Sequence, residues 1–260
     1  MTIKLLTPIS HLFKEEKVKQ EIVNLSDELE ARERTCDLNI NNTTHYHIDF
    51  DLNIGLEEHQ LDFLENYVKP NECIQTLTFQ AARDCKKVEV KNNQYFPKSN
   101  VLNLNEQINN TKESTKKIRD IVGTSRIIGI ENNNFFDTGA YEICTSYEYL
   151  IKSCESAGLN LLFDCAHAHV TCTNKNVNFE EYSQKLLNNT SCNQFHLCEP
   201  SFFYKNNKVH AIDSHNMPTP FSTKKTLNLM QVFDIEYLTI EYYRDAYNLI
   251  EYLKYLRKMI

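Results

Sequence analysis

The chain has 260 residues, 41% of them hydrophobic, which is enough to bury one large core and matches the usual size of a single closed α/β barrel. A net charge of −7, with Lys, Asp and Glu mixed along the chain, argues against nucleic acid as a partner, because phosphate binding relies on a basic surface. No stretch approaches the roughly 18 consecutive apolar residues needed to span a bilayer, and the opening MTIKLLTPISHLFKEEK lacks an apolar segment followed by a small-residue cleavage site, so a cytoplasmic protein with no membrane partner is expected.

The first informative segment is HYHIDFDL (45–52). At the strand period of two, His45, His47, Asp49 and Asp51 share one face and Tyr46, Ile48, Phe50 and Leu52 the other. The polar face either lines a cation site inside a barrel or belongs to an edge strand that is simply wet. QLDFLENYV (60–68) then reads as a helix, CIQTLTFQ (73–80) as a strand, and TKESTKKIRDIVG (111–123) as a helix closed by its glycine.

Beyond residue 125 the alternation sharpens. Four apolar runs read as strands: RIIGIENNN (126–134), NLLFDCAHAH (160–169), CNQFHLCEP (192–200) and YLTIEYYRD (237–245). AYEICTSYEYLIKSCESAG (140–158) and NFEEYSQKLLNN (178–189) read as helices between them. Each run reaches an ionisable group, namely Glu131, Asp164, His196 and Glu241, at spacings of 33, 32 and 45 residues. These are close to the length of a strand, a helix and a return loop. Apolar strands buried on both faces imply a parallel sheet covered by helices. The expectation is one (β/α)8 TIM barrel domain over residues 1–260.

In such a barrel the strand ends converge on one rim, so these four groups meet at one point. Three carboxylates there repel one another strongly unless a cation sits among them. His167, three residues after Asp164, can join a neighbouring ion, and HAIDSHNMPTP (210–220), if extended, adds Asp213 and His215 on one face. With His47 the candidate metal ligands number eight: His47, Glu131, Asp164, His167, His196, Asp213, His215 and Glu241. That exceeds one ion and suits two or three; mixed carboxylate and imidazole donors fit iron, with zinc or manganese as alternatives. His11, His59 and His210 lack such a context, and His169 either points into the site or hydrogen-bonds a neighbouring loop. The nine cysteines form no C-x-x-C pair and are expected to be reduced, mostly buried thiols without a role in the site.

The stretches IENNN, FDCAHAHVTCTN, FHLCEP, AIDSHNMP and LTIEYYRD resemble, in order and spacing over roughly residues 125–250, the xylose-isomerase-like barrels in the version used by endonuclease IV. Within that superfamily they are closer to the multinuclear non-heme iron-dependent oxidative enzymes. That resemblance implies two or three iron ions that activate dioxygen and a peptide substrate modified at cysteine, often brought by a peptide-delivering partner protein. Two departures stand out: His167 replaces the Asn of typical members, and Gln80 ends its strand where a histidine ligand is expected. The alternatives are a divalent-metal sugar isomerase or epimerase on a small-molecule substrate, in which Glu131 and Glu241 flank one ion and shuttle a proton, and an endonuclease IV-like phosphodiesterase with zinc, which the acidic charge disfavours. A degenerate barrel without enzymatic activity is the fourth reading, and Gln80 is the feature that supports it.

Overall fold

The computed structural model describes residues 2–35 and 40–260, so Cys36 lies outside the described residues. Eight parallel strands close a barrel: β1 (Lys4–Pro8), β2 (Glu28–Arg32), β3 (Thr43–Asp51), β4 (Thr76–Gln80), β5 (Ile127–Glu131), β6 (Asn160–Asp164), β7 (Cys192–Leu197) and β8 (Tyr237–Ile240). They pair in chain order, with β8 returning to β1. The (β/α)8 barrel expected from the sequence is the fold observed. The surrounding helices are α1 (Glu16–Leu25), α2 (Glu58–Phe63), α3 (Leu104–Val122), α4 (Tyr147–Ala157), α5 (Cys165–Lys175), α6 (Phe179–Leu187), α7 (Pro220–Phe233) and α8 (Ala246–Leu256). Two antiparallel hairpins decorate the rim, Val88–Lys91 with Gln94–Pro97 and Glu199–Lys205 with Lys208–Asn216.

Strand alternation divides the core. Leu29 and Ala31 of β2, Leu77 and Phe79 of β4, and Phe195 and Leu197 of β7 are all buried in the hydrophobic cluster, whereas their alternating neighbours Glu30, Thr78, Gln194 and His196 are buried and polar. The barrel interior is therefore a hydrogen-bonded network. Gln194 donates to Glu30 at 2.7 Å and to Thr239 at 2.9 Å, so this network holds the groups beneath the rim in fixed positions.

Several expectations shift on inspection. The helix expected over 140–158 begins only at Tyr147, capped by Ser146, because the buried Asp84 carboxylate accepts the amides of Ile143 and Cys144 and holds that stretch in turns. Its other end is as expected, with Gly158 in the left-handed conformation (φ 64°). The helix expected from residue 111 starts at Leu104, where Asn103 and Glu106 form a capping box.

In β3 the edge-strand reading fails, because the strand is paired on both sides within the closed barrel. Its polar row is also broken. A bulge moves the register from Ile48–Phe79 to Asp51–Gln80, so Asp51 turns to the Ala82 amide (2.6 Å) and Arg83 (3.1 Å), and Asp49 is partly exposed. β1 and β2 were not legible in the sequence. The eight described cysteines are all free, and six of them are buried, as a packing role requires. No described helix is long and apolar enough to cross a membrane.

Candidate metal centre

Seven of the eight sequence candidates lie at the C-terminal ends of the strands or on the segments just beyond them, and His47 lies in the middle of β3, level with Arg32 at the end of β2. Glu131 closes β5, Asp164 closes β6, His196 lies near the end of β7 and Glu241 directly follows β8. Asp164 is also the N-cap of α5: its Oδ1 accepts the His167 amide at 2.7 Å, which fixes the carboxyl and leaves Oδ2 free. Asp213 and His215 come from the long hairpin. Their side chains meet at 3.4 Å, and His215 takes a positive φ (43°), a strained conformation for a residue with a Cβ.

An inner set surrounds the Nδ1 atom of His196. Glu131 Oε1 and Glu241 Oε1 each lie 3.3 Å from it, and Asp164 Oδ2 lies 3.9 Å away. Nε2 of the same ring hydrogen-bonds Glu30 at 2.9 Å, so a buried carboxylate orients the imidazole from behind. His47 Nε2 contacts Glu131 Oε2 at 3.1 Å. An outer set gathers on Asp213 Oδ2, which is 3.4 Å from Nε2 of both His167 and His215. His167 Nδ1 is held by the Asn132 carbonyl at 2.9 Å, which aims Nε2 at this point. His215 Nε2 also lies 3.4 Å from Glu241 Oε2 and so links the two sets.

Sequence reading missed Glu30 and Arg32, both on β2. The Arg32 guanidinium pairs with Glu30 (3.1 Å) and Glu241 and lies 3.3 Å from His47 Nδ1. The signal was available: in ELEAR, Glu28, Glu30 and Arg32 alternate with Leu29 and Ala31 at the strand period. Tyr243, whose hydroxyl donates to Glu241 Oε1 at 3.2 Å, was missed as well. Gln80 occupies the expected histidine position. Its amide donates to Glu131 Oε2 at 2.6 Å, and its own oxygen accepts from Asn133, so it fills that corner with hydrogen bonds. His169 lies outside the site, stacked on Phe179 at 3.9 Å.

Above these groups opens a cavity of about 310 Å³, lined by Arg32, Gln80, Glu131, His167, His215 and Glu241 among others. No protein-family model matches the sequence, and no curated protein matches it. Solved structures do. A 3-keto-D-glucoside 4-epimerase from E. coli superposes with a TM-score of 0.65 at 12% identity, covering 99% of this chain and 100% of that one. Endonuclease IV from Thermus thermophilus gives 0.60 at 12% identity over 98% and 99% of the two chains. A xylose isomerase-like TIM barrel protein from Mycobacterium smegmatis, solved in complex with magnesium, gives 0.56 at 9% identity over 99% and 96%. The closed (β/α)8 barrel is the fold this chain shares with these structures.

At these identities the likeness establishes the fold and carries no activity across. What the barrel can do depends on its own side chains, and these fit a divalent ion. Asp164 Oδ2 and His196 Nδ1 are buried without a hydrogen-bond partner, a costly state for a carboxylate. Glu131, Asp164 and His167, and separately Glu30, His196 and Glu241, offer donor atoms within 4.8 Å of one another.

Protons take the place of the cation in the ion-free protein. Burial opposes a charge on His196, but Glu30 and Glu131 outweigh it and bring its pKa up to about 9. Burial, with Glu131 and Asp213 adding to it, pushes the Asp164 carboxyl up to about 6 against the pull of His167. Asp213 goes the other way: burial alone would raise it, and His167 draws it down to about 2. An ion coordinated by His196 Nδ1 must therefore displace the imidazolium proton below about pH 9, and the Asp164 proton as well below about 6. Manganese affinity is expected to rise about tenfold per pH unit between these two values and more steeply below them. Titrations across that range measure the slope; a flat profile would show that His196 does not meet the ion.

Proposed function

We propose that the protein is a divalent-metal-dependent isomerase or epimerase acting on a small polyhydroxylated carbonyl compound of the sugar class. The observation that carries this reading is the division of the inner set. Glu131 and Glu241 line the cavity, while Asp164 and His196 lie fully buried beneath it. Two carboxylates thus face the substrate space over a floor suited to hold an ion. The ion, when bound, would supply Lewis-acid polarisation of a substrate carbonyl oxygen.

The chain's own residues account for the rest. Glu241 Oε1 is engaged by Arg32 and Tyr243, which leaves Oε2 to take or return a proton at the carbon beside the carbonyl. Arg32 places a positive charge beside Glu241. Glu131 is the second proton carrier. Its Oε2 contacts His47, whose Nδ1 lies 3.4 Å from the partly exposed Asp49, an exit for the proton towards solvent. The fold likeness to a sugar epimerase supports the reading as context.

A second reading has its own support. A one-ion isomerase has no need of the outer set, so His167, Asp213 and His215 favour a site with two or more ions, as in an oxygen-using iron enzyme acting on a peptide thiol. One experiment separates the two. Protein loaded anaerobically with manganese or with iron is incubated with a panel of ketoses and aldoses in D2O, and deuterium incorporation is followed by NMR alongside oxygen uptake. Ion-dependent deuterium exchange, lost in Glu241→Gln, is the expected result. Oxygen uptake driven by thiol peptides, with no exchange in any sugar, would sink the isomerase reading.

A further inference from the structure

Cys198 follows β7 directly, two residues after His196, and is 2% exposed. Its Sγ lies 3.7 Å from Asp213 Oδ1. This thiol, an Asp213 oxygen and an imidazole nitrogen of His215 all lie within 4.8 Å of one another, and Asp213 Oδ2 is 3.4 Å from both His167 and His215. A tetrahedral ion with sulfur at about 2.3 Å and nitrogen or oxygen at about 2.0 Å sets its donors about 3.3–3.6 Å apart. The two separations from Asp213 Oδ2 to the imidazoles stand at that spacing, and the 3.7 Å from Cys198 Sγ to Asp213 Oδ1 lies just beyond it. The unpartnered Asp164 Oδ2 borders it, 4.0 Å from His167 Nε2.

We propose that this cluster is an outer ion site in which Cys198 supplies a thiolate, so that it takes zinc, ferrous iron or cobalt in preference to magnesium or calcium. The proposal rests on the metal reading of the cavity, and it holds for either chemistry above. Charge supports it. When the thiol proton leaves to solvent, the thiolate and the Asp213 carboxylate carry two negative charges beside two neutral imidazoles, which one divalent ion balances. Sulfur sets the preference, since hard, oxygen-seeking cations bind thiolate poorly. Buried packing is the competing role for Cys198, and a serine in its place retains a donor to Asp213 while removing the sulfur.

The test is a cobalt(II) titration of the full chain, read as cobalt bound per chain, as the visible bands of the inner ion, and as the near-ultraviolet sulfur-to-cobalt charge-transfer band. The expected result is two cobalt ions, a charge-transfer band that grows with one of them, and resistance of that ion to excess magnesium. In Cys198→Ser the band disappears and one cobalt binds at least about tenfold more weakly, while the visible bands of the inner ion persist and show that the barrel is folded. Two bound cobalt ions without the band, or a band that survives Cys198→Ser, would overturn the thiolate assignment and leave the metal reading of the cavity intact. A single bound cobalt without the band overturns the outer site. No bound cobalt at all overturns the metal reading with it.

Discussion

Glu131→Gln is expected to cut the rate of ion-dependent proton exchange by about a thousandfold, measured at saturating manganese so that weaker ion binding does not limit the assay. Glu131 meets three neighbouring side chains in the site. Oε1 faces His196 Nδ1 at 3.3 Å, while Oε2 takes the Gln80 amide at 2.6 Å and the His47 ring at 3.1 Å. The amide variant keeps size and an acceptor oxygen but loses the charge and the proton-carrying capacity, so the barrel stays folded as chemistry fails. Both effects belong in one experiment: exchange in D2O against manganese concentration, and a melting curve. A variant that exchanges at the wild-type rate would remove Glu131 from the proton path.

Arg32→Met has its largest effect on the fold. The guanidinium is 12% exposed and pairs with Glu30 and Glu241, which are 1% and 2% exposed. Removing one partner of a buried pair leaves uncompensated charge, which costs about 3–5 kcal/mol. For a chain of this size that is a melting temperature lower by roughly 10 °C in the ion-free protein. Saturating manganese is expected to recover part of the loss, because an ion beside Glu241 replaces the missing positive charge. Equal melting temperatures for variant and wild type, both without metal, would mean that protons on Glu30 and Glu241 already neutralise the pair.

The second half of the barrel was legible because each strand is an apolar run interrupted by one ionisable residue at its end. IIGIE, NLLFD and YLTI with Glu241 announce their rim positions by contrast alone. The first half lacks that contrast. β2 is ELEAR, whose inward Glu30 and Arg32 look like a solvated surface when read without the barrel closing over them. β1 carries no rim ligand among the eight candidates. In β3 the alternation that singled out His47 also drew in Asp49 and Asp51, and the bulge that redirects them leaves no mark in the sequence. The eight candidates follow from chain order and strand period; Arg32 shows the same period in ELEAR, but a guanidinium offers a metal no electron pair and so does not stand out among ligand-type residues.

Asp164 does two jobs with one short side chain: Oδ1 caps α5 through the His167 amide, and Oδ2 faces His196. Such a position has almost no freedom in sequence space. Glu is one methylene too long to cap the first turn and still present its second oxygen at the same point; Asn keeps the cap but offers a neutral amide to the inner set; Ser keeps the cap and offers nothing. Among chains that retain this barrel, the residue at position 164 should therefore drift only after the chemistry has been abandoned. In a saturation library it would be the cleanest single reporter of whether selection still acts on the rim.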